Sequence, residues 1–114
     1  PGLIHSLERS PSGETILVGG ELYGNGFMAL LDSETLEEKS IIYDLDWTVQ
    51  NAMFIDDDII ATAMDSSLRF WDATNLEELG DIHIDGGVVD LAVVNESLWV
   101  VDYSGALTRV ACSE

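Results

Sequence analysis

An internal repeat constrains the fold of this chain more than any other feature. The segment from Asp32 to Glu38, DSETLEE, returns forty positions later as DATNLEE, from Asp72 to Glu78. Each copy follows an apolar stretch that ends in the aspartate. A period near forty residues in a chain of short strand-like runs is typical of stacked four-stranded units, because one such unit cannot cover its own apolar faces.

Eleven short apolar or alternating runs predict eleven β-strands, separated by turns rich in Gly, Asn, Asp, Ser and Pro. No stretch shows sustained helical periodicity, so the predicted fold class is all-β. The predicted strands are Leu3 to Leu7, Thr15 to Gly19, Phe27 to Leu31, Ile41 to Leu45, Val49 to Ile55, Ile59 to Met64, Leu68 to Trp71, Asp81 to Ile84, Val88 to Val94, Leu98 to Asp102 and Ala106 to Ala111.

The predicted strands form three units, which we place at residues 1–46, 47–85 and 86–114. If the strands of a unit are lettered a to d, the chain contains abcd, abcd and abc, so the last unit lacks its outer strand. The Leu31-Asp32 pair of the first unit aligns with Trp71-Asp72 of the second. A uniform offset of 39 relates the second unit to the third, equating Val49 with Val88, Ile59 with Leu98, Ala61 with Val100, Leu68 with Leu107 and Trp71 with Val110.

One segment of the second unit, MDSSLRFWD at 64–72, resembles the signature half of a WD-repeat blade. In that family an aspartate closes a tight turn before a strand that ends in Trp-Asp, here Trp71-Asp72. The third unit ends its corresponding strand in Val110-Ala111, and the family's Gly-His pair is missing from the matching loops. Quinoprotein-like and other propellers therefore stay open as relatives.

The resemblance implies a β-propeller segment of about three four-stranded antiparallel blades. WD-repeat propellers commonly close their ring with the N-terminal strand as the outer strand of the last blade, so this chain resembles the C-terminal part of a larger propeller. Three blades cannot form a ring. The open flanks would expose apolar sheet faces, and we expect the remaining blades or a second copy of the chain to cover them.

The charge of the chain is strongly acidic, with 22 Asp and Glu against 4 Lys and Arg and a formal net charge of −18. Nucleic acid requires clustered basic side chains, and the basic residues here are few and scattered. The charge favours a basic protein or peptide partner. Adaptation to high salt is an alternative explanation that charge alone does not separate.

The single cysteine, Cys112, excludes an internal disulfide and a thiolate zinc cluster, and it favours a reducing compartment, cytoplasmic or nuclear. No apolar stretch approaches the roughly 18 residues of a membrane span, and no leader pattern opens the chain. We therefore expect no membrane association. The start at Pro1 indicates a processed chain or a fragment.

The propeller topology places the b–c and d–a turns on one loop face, where aromatic rings and carboxylates suit a basic protein partner. For Asp65 and Trp47 the alternative roles are closing a turn and packing between blades. The predicted partner-binding residues are Tyr23, Asp46, Trp47, Asp65, Asp85, Asp102 and Tyr103.

The other loop face is predicted to carry most of the acidic turns, which either attract a basic segment or are simply solvated. Its acidic residues are Glu34, Glu37, Glu38, Asp56, Asp57, Asp58, Glu77, Glu78 and Glu96.

No catalytic set, cofactor motif or metal site is evident in the sequence. The run 56–58 lacks the spaced ligands of a calcium loop, His5 and His83 lie far apart, and the glycines match no phosphate loop. We expect a non-catalytic protein-interaction scaffold that works as part of a complex. The alternatives are a self-assembling propeller fragment and an enzyme with its site in the channel of the full propeller.

Overall fold

The computed structural model describes residues 2–46, 48–64, 66–84, 87–94 and 97–110, without the side chain of Val89. Within those ranges it contains eleven β-strands and no helix, and so no helix that could cross a membrane. The all-β prediction is confirmed. The strands are β1 Gly2–Arg9, β2 Thr15–Leu22, β3 Asn25–Asp32, β4 Glu38–Leu45, β5 Asn51–Phe54, β6 Ile59–Met64, β7 Ser67–Asp72, β8 Glu78–His83, β9 Val88–Val94, β10 Ser97–Asp102 and β11 Leu107–Val110.

The strands form three antiparallel sheets in chain order, each built from neighbouring hairpins. Sheet one contains β1 to β4, sheet two contains β5 to β8, and sheet three contains β9 to β11. Sheet three has three strands within the described residues, as the sequence predicted. The first strands of successive sheets lie side by side, with β1 against β5 and β5 against β9.

The central strands are buried because each sheet packs on the next. In β6 every residue from Ile60 to Met64 is buried, and Thr62 is its one polar side chain. A strand covered on both faces cannot alternate between apolar and polar residues, which explains its continuous apolar sequence. The outer strand β8 is largely exposed.

Two apolar cores lie between the sheets. The first joins Leu17, Met28 and Leu30 of sheet one to a face of sheet two that includes Ile60 and Trp71. The second joins the opposite face of sheet two to sheet three; its buried members are Ala61, Ala63, Leu68, Val88, Leu91, Leu98 and Val100. Among the described residues, sheet two is thus the one sheet with a core on both faces.

Hydrogen bonds between first strands reinforce the two cores. The Ser6 hydroxyl donates to the Ala52 carbonyl at 3.0 Å and accepts from the Ala52 N–H at 2.9 Å. Glu8 Oε1 accepts from the Phe54 N–H at 2.8 Å. Between sheets two and three, Asn51 Nδ2 donates to Asp90 Oδ1 at 2.7 Å.

The register corrects one part of the predicted repeat. Ile60 pairs with Phe54, whereas Leu98 pairs with Val93, so Leu98 corresponds to Ile60 and Val100 to Thr62. The predicted matches of Leu98 with Ile59 and of Val100 with Ala61 are therefore wrong. Four residues separate Val93 from Leu98, against five between Phe54 and Ile60. The β9–β10 connection of sheet three is one residue shorter than the β5–β6 connection of sheet two, so the offset is 39 in β9, 38 in β10 and 39 again in β11. Shifting the pairing of β10 by one residue would turn every one of its side chains to the opposite face of the sheet. The need to bury Leu98 therefore favours this register.

Candidate functional site

The antiparallel order divides the connections between two loop faces. The connections that follow the even-numbered strands lie on one side, which we call the first loop face. The connections that follow the odd-numbered strands lie on the other side, the second loop face. A hydrogen bond links sheets one and two on the second loop face, since the Ser12 N–H donates to Asp57 Oδ1 at 2.9 Å. Residues from different sheets can therefore act together on one face.

The first loop face presents two aromatic rings to solvent. Tyr23 is 77% exposed and Tyr103 is 69% exposed. Tyr23 and Gly24 form a two-residue hairpin turn, with φ angles of 53° and 85°. Positive φ at both positions is typical of a type I′ turn, and this turn places Tyr23 at the tip of its hairpin.

The carboxylates predicted for this face differ in their surroundings. Asp46 is exposed, whereas Asp102 is half-buried and closes its own turn. Asp102 Oδ1 accepts from the Ser104 hydroxyl at 2.6 Å and from the N–H groups of Ser104 and Ala106 at 2.9 and 3.1 Å. The Ser104 hydroxyl, followed by the backbone donors, lowers the pKa of the Asp102 carboxyl. The other three predicted residues, Trp47, Asp65 and Asp85, lie outside the described residues.

The repeated aspartates have a structural role on the second loop face. Asp32 Oδ1 accepts from the N–H groups of Glu34 and Thr35 at 2.9 and 3.1 Å, and Asp72 Oδ1 accepts from those of Thr74 and Asn75 at 2.7 and 3.3 Å. The backbone donor of Thr35, then that of Glu34, lowers the pKa of the Asp32 carboxyl. The aspartate of each repeat copy therefore stabilises the turn that the repeat forms.

The leucine of each repeat copy closes the same turn in a left-handed conformation. Leu36 has a φ of 63° and Leu76 a φ of 59°, and the N–H of each donates to the carbonyl of its aspartate at 2.8 and 2.9 Å. Their environments differ, because Leu76 is buried in the core between sheets one and two, whereas Leu36 is 61% exposed.

The described acidic residues predicted for the second loop face are exposed, with Glu34, Glu37 and Glu38 in sheet one and Glu77 and Glu78 in sheet two. Glu38 and Glu78 begin strands β4 and β8, three residues earlier than the sequence indicated. Glu96 lies outside the described residues.

A polar cleft of about 300 Å³ lies on the second loop face between sheets one and two. Asp57 and Asp58 line it from sheet two, and Glu14 and Lys39 from sheet one. Lys39 Nζ donates to Thr15 Oγ1 at 3.0 Å. Sequence reasoning missed Glu14 and Lys39, because neither stands in an acidic run and only the packing of the two sheets brings them beside Asp57.

The described ranges offer no metal centre, since they contain no group of three or more His, Cys, Asp or Glu side chains able to hold an ion. In the acidic run, Asp56 Oδ1 accepts from the N–H groups of Asp58 and Ile59 at 2.8 and 3.0 Å. Asp56 thus closes the β5–β6 turn. His5 Nε2 lies 4.0 Å from Glu21 Oε1.

Comparison with known proteins identifies the architecture. No protein-family model matches the sequence, and no curated protein is similar to it. Among solved structures, BamB from Moraxella catarrhalis superimposes with a TM-score of 0.79 at 11% identity, over 95% of this chain and 34% of that one. The C-terminal WD40 domain of Sif2 superimposes with a TM-score of 0.75 at 16% identity, over 96% of this chain and 31% of that one. The three sheets are β-propeller blades.

A computationally designed protein, Ika4, also matches, with a TM-score of 0.77 at 12% identity over 96% of this chain and 66% of that one. The propeller segment therefore spans about a third of the BamB and Sif2 chains and just under two thirds of Ika4. These superpositions establish the fold alone. Sheets one, two and three are blades one, two and three below.

Proposed function

We propose that this propeller segment is a non-catalytic protein-interaction scaffold whose acidic surface binds a basic protein or peptide within a complex. The observation that carries the proposal is the concentration of exposed carboxylates on the second loop face. Glu34 and Glu37 occupy the β3–β4 turn, Glu77 the matching turn of blade two, and Asp57 and Asp58 the β5–β6 turn between them.

Electrostatics gives this face two roles. Carboxylates on neighbouring turns add their potentials, which speeds the encounter with a positively charged partner and disfavours acidic ones. The net charge of −18 extends this attraction over the whole molecule. The Debye length is about 10 Å at 0.1 M salt, so the attraction must weaken as salt rises.

The first loop face supplies the other kind of contact in this proposal. Tyr23 and Tyr103 are exposed rings of the type that anchors protein interfaces, and Asp46 is an exposed carboxylate on the same face. We assign partner contact to this set together with Trp47, Asp65, Asp85 and the Asp102 turn. We also assign the protein to an intracellular compartment, cytoplasmic or nuclear, on the basis of its single cysteine.

Binding of a ten-residue lysine peptide, measured by titration calorimetry at low and physiological salt, tests the electrostatic part. The double variant E37Q/E77Q removes two second-face carboxylates whose side chains make no hydrogen bond within the described residues. We expect it to weaken binding about three- to tenfold at low salt, since each lost charge reduces the local potential.

The matched control is D44N/D81N, which removes the same charge from exposed positions in strands β4 and β8. We expect less than half of the effect, in free-energy terms, from this control. Equal losses in the two variants would mean that the peptide responds to net charge alone, and binding that does not change with salt would rule out the electrostatic mechanism.

A further inference from the structure

Two blade faces are uncovered within the residues that the structure describes. The face of blade one that is turned away from blade two is called the near flank. The face of blade three that is turned away from blade two is called the far flank. The near flank exposes Leu7 at 71% and Leu36 at 61%, and the far flank exposes Leu107 at 62%. Exposed apolar surface on an open sheet face is a candidate for interaction.

The near flank repeats a face that is buried elsewhere in the same molecule. Ile16 pairs with Leu31 just before Asp32, as Ile60 pairs with Trp71 just before Asp72, so these positions correspond. By the same register Leu7 corresponds to Ala52, and Leu36 corresponds to Leu76 in the repeat. Ala52, Ile60, Trp71 and Leu76 are all buried in the core between blades one and two.

The far flank repeats the opposite side of that interface. Because Leu98 corresponds to Ile60, Trp99 corresponds to Ala61. Leu107 pairs with Val101 as Leu68 pairs with Ala63, so Leu107 corresponds to Leu68. Ala61 and Leu68 are fully buried between blades two and three. At both blade interfaces, therefore, a face equivalent to the far flank packs against a face equivalent to the near flank of the next blade.

The near flank has a hollow at the position that a ring of the far flank would reach in the repeating geometry. A hollow of about 490 Å³ on the near flank is lined by Leu7, Arg9 and Ile16. Trp99 on the far flank corresponds to Leu17 of blade one, which is buried in one cluster with Phe54 and Ile60. Phe54 and Ile60 correspond to Arg9 and Ile16. Docking in the repeating geometry would therefore bring the Trp99 ring to the hollow, where Arg9 can stack on it.

We propose that the near flank binds the far flank of a second copy of this chain, in the same geometry as one blade binds the next. The interface is head-to-tail, so a pair of copies still has one open flank at each end. The assembly therefore grows until it closes as a ring or continues as a filament. Like-charged copies repel each other, so salt strengthens this association. That dependence is opposite to the one expected for a basic partner, and the two proposals can fail independently.

Sedimentation velocity of the 114-residue chain over a wide concentration range tests the proposal, with the variants L7D and L107D. Each variant places a carboxylate in one flank and leaves the other flank intact. We expect the unmodified chain to associate, more strongly in high salt, and each variant alone to be monomeric because association weakens about 100-fold. An equimolar mixture of the two should form dimers of one copy each, because one functional pair of flanks remains.

The control is L79D, which alters an exposed leucine in outer strand β8, away from both flanks, and should associate like the unmodified chain. Circular dichroism checks that all three variants keep their strand content. A chain that is monomeric at every concentration and salt overturns the proposal and leaves the flanks to further blades, in this polypeptide or another. Monomers in the mixture of L7D and L107D also overturn it, because they exclude head-to-tail docking.

Discussion

At the scale of the residue, the carboxylates of this chain fall into two groups with different physical roles. Asp32, Asp72 and Asp102 accept two or three hydrogen bonds within their own turns, and Glu8 accepts one across the first blade interface. Glu37, by contrast, makes no side-chain hydrogen bond within the described residues and is exposed. The first group serves folding, and the second is available to a partner.

The pH dependence of stability at Glu8 tests whether a carboxylate of the first group affects folding. Burial raises the pKa of the Glu8 carboxyl, and the bond from the Phe54 N–H opposes this in part. A raised pKa means that folded Glu8 holds its proton at a pH where the unfolded chain has lost it. Its contribution to stability is therefore fully present below the unfolded value, about 4.3, and is lost as pH rises through the folded pKa.

We expect E8Q to raise the free energy of unfolding at pH 7, by less than about 1 kcal/mol because the carboxyl is only partly buried and solvent screens it. The gain should vanish near pH 4. Urea unfolding at both pH values measures it. The control E34Q removes an equal charge from an exposed site and reports general charge repulsion. If E8Q and E34Q have the same pH profile, burial of Glu8 has no energetic consequence.

Asp32 and Asp102 have the opposite effect on stability, because their pKa values are lowered in the folded protein. Their contribution is present above about pH 4 and is lost as pH falls through the folded values.

At the scale of the element, the central strands carry the stability of each blade. In blade two, the Trp71 indole N–H donates to Thr62 Oγ1 at 2.9 Å, and both side chains are almost fully buried. This bond joins strands β6 and β7 inside the first core. A buried indole N–H without a partner is costly, so the pair must be kept or removed together.

We expect T62V to lower the free energy of unfolding by about 1–3 kcal/mol, because Val keeps the shape of Thr but leaves the indole N–H unsatisfied. Urea unfolding of T62V, W71F and the double variant forms a double-mutant cycle. The double variant should be less destabilised than the sum of the single variants. Additive losses, or a T62V as stable as the unmodified chain, would show that the bond contributes nothing.

The strands and the repeat could be predicted from the sequence because each depends on local pattern. Eleven short apolar runs gave eleven strands, and Leu31-Asp32 corresponds to Trp71-Asp72 as expected. The early starts of β4 and β8 were missed, because Glu38 and Glu78 are polar residues that pair with Leu31 and Trp71 beside a register shift. The one-residue shorter connection in blade three was missed, because only burial distinguishes Ile59 from Ile60 as the counterpart of Leu98.

The candidate sites were harder to predict, because they depend on which sheets meet. The exposure of Tyr23 follows from its turn, but the cleft that joins Glu14 and Lys39 to Asp57 exists only once blades one and two pack. Asp102 was predicted as a partner contact, yet its Oδ1 is engaged by Ser104 and Ala106. An aspartate before a Ser-Gly turn has the same sequence whether it closes the turn or faces a ligand.

At the scale of the whole molecule, the described residues form a stack of three blades, and among them the middle blade is the one covered on both sides. Stability in such stacks is shared between units and their interfaces. Blade two takes part in both cores, whereas blades one and three each take part in one. The loop faces and the flanks are consequences of this arrangement, so the stacking order is the central claim of the account.

Amide hydrogen exchange, resolved by residue, tests this claim most directly. It is read at a concentration where the chain is monomeric, so that the flanks stay uncovered. We predict the slowest exchange in β6, from Ile59 to Met64, intermediate exchange in β2, and the fastest among the central strands in β10. A profile in which the three central strands exchange at equal rates, or in which β10 is the slowest, would contradict the stacking of these blades.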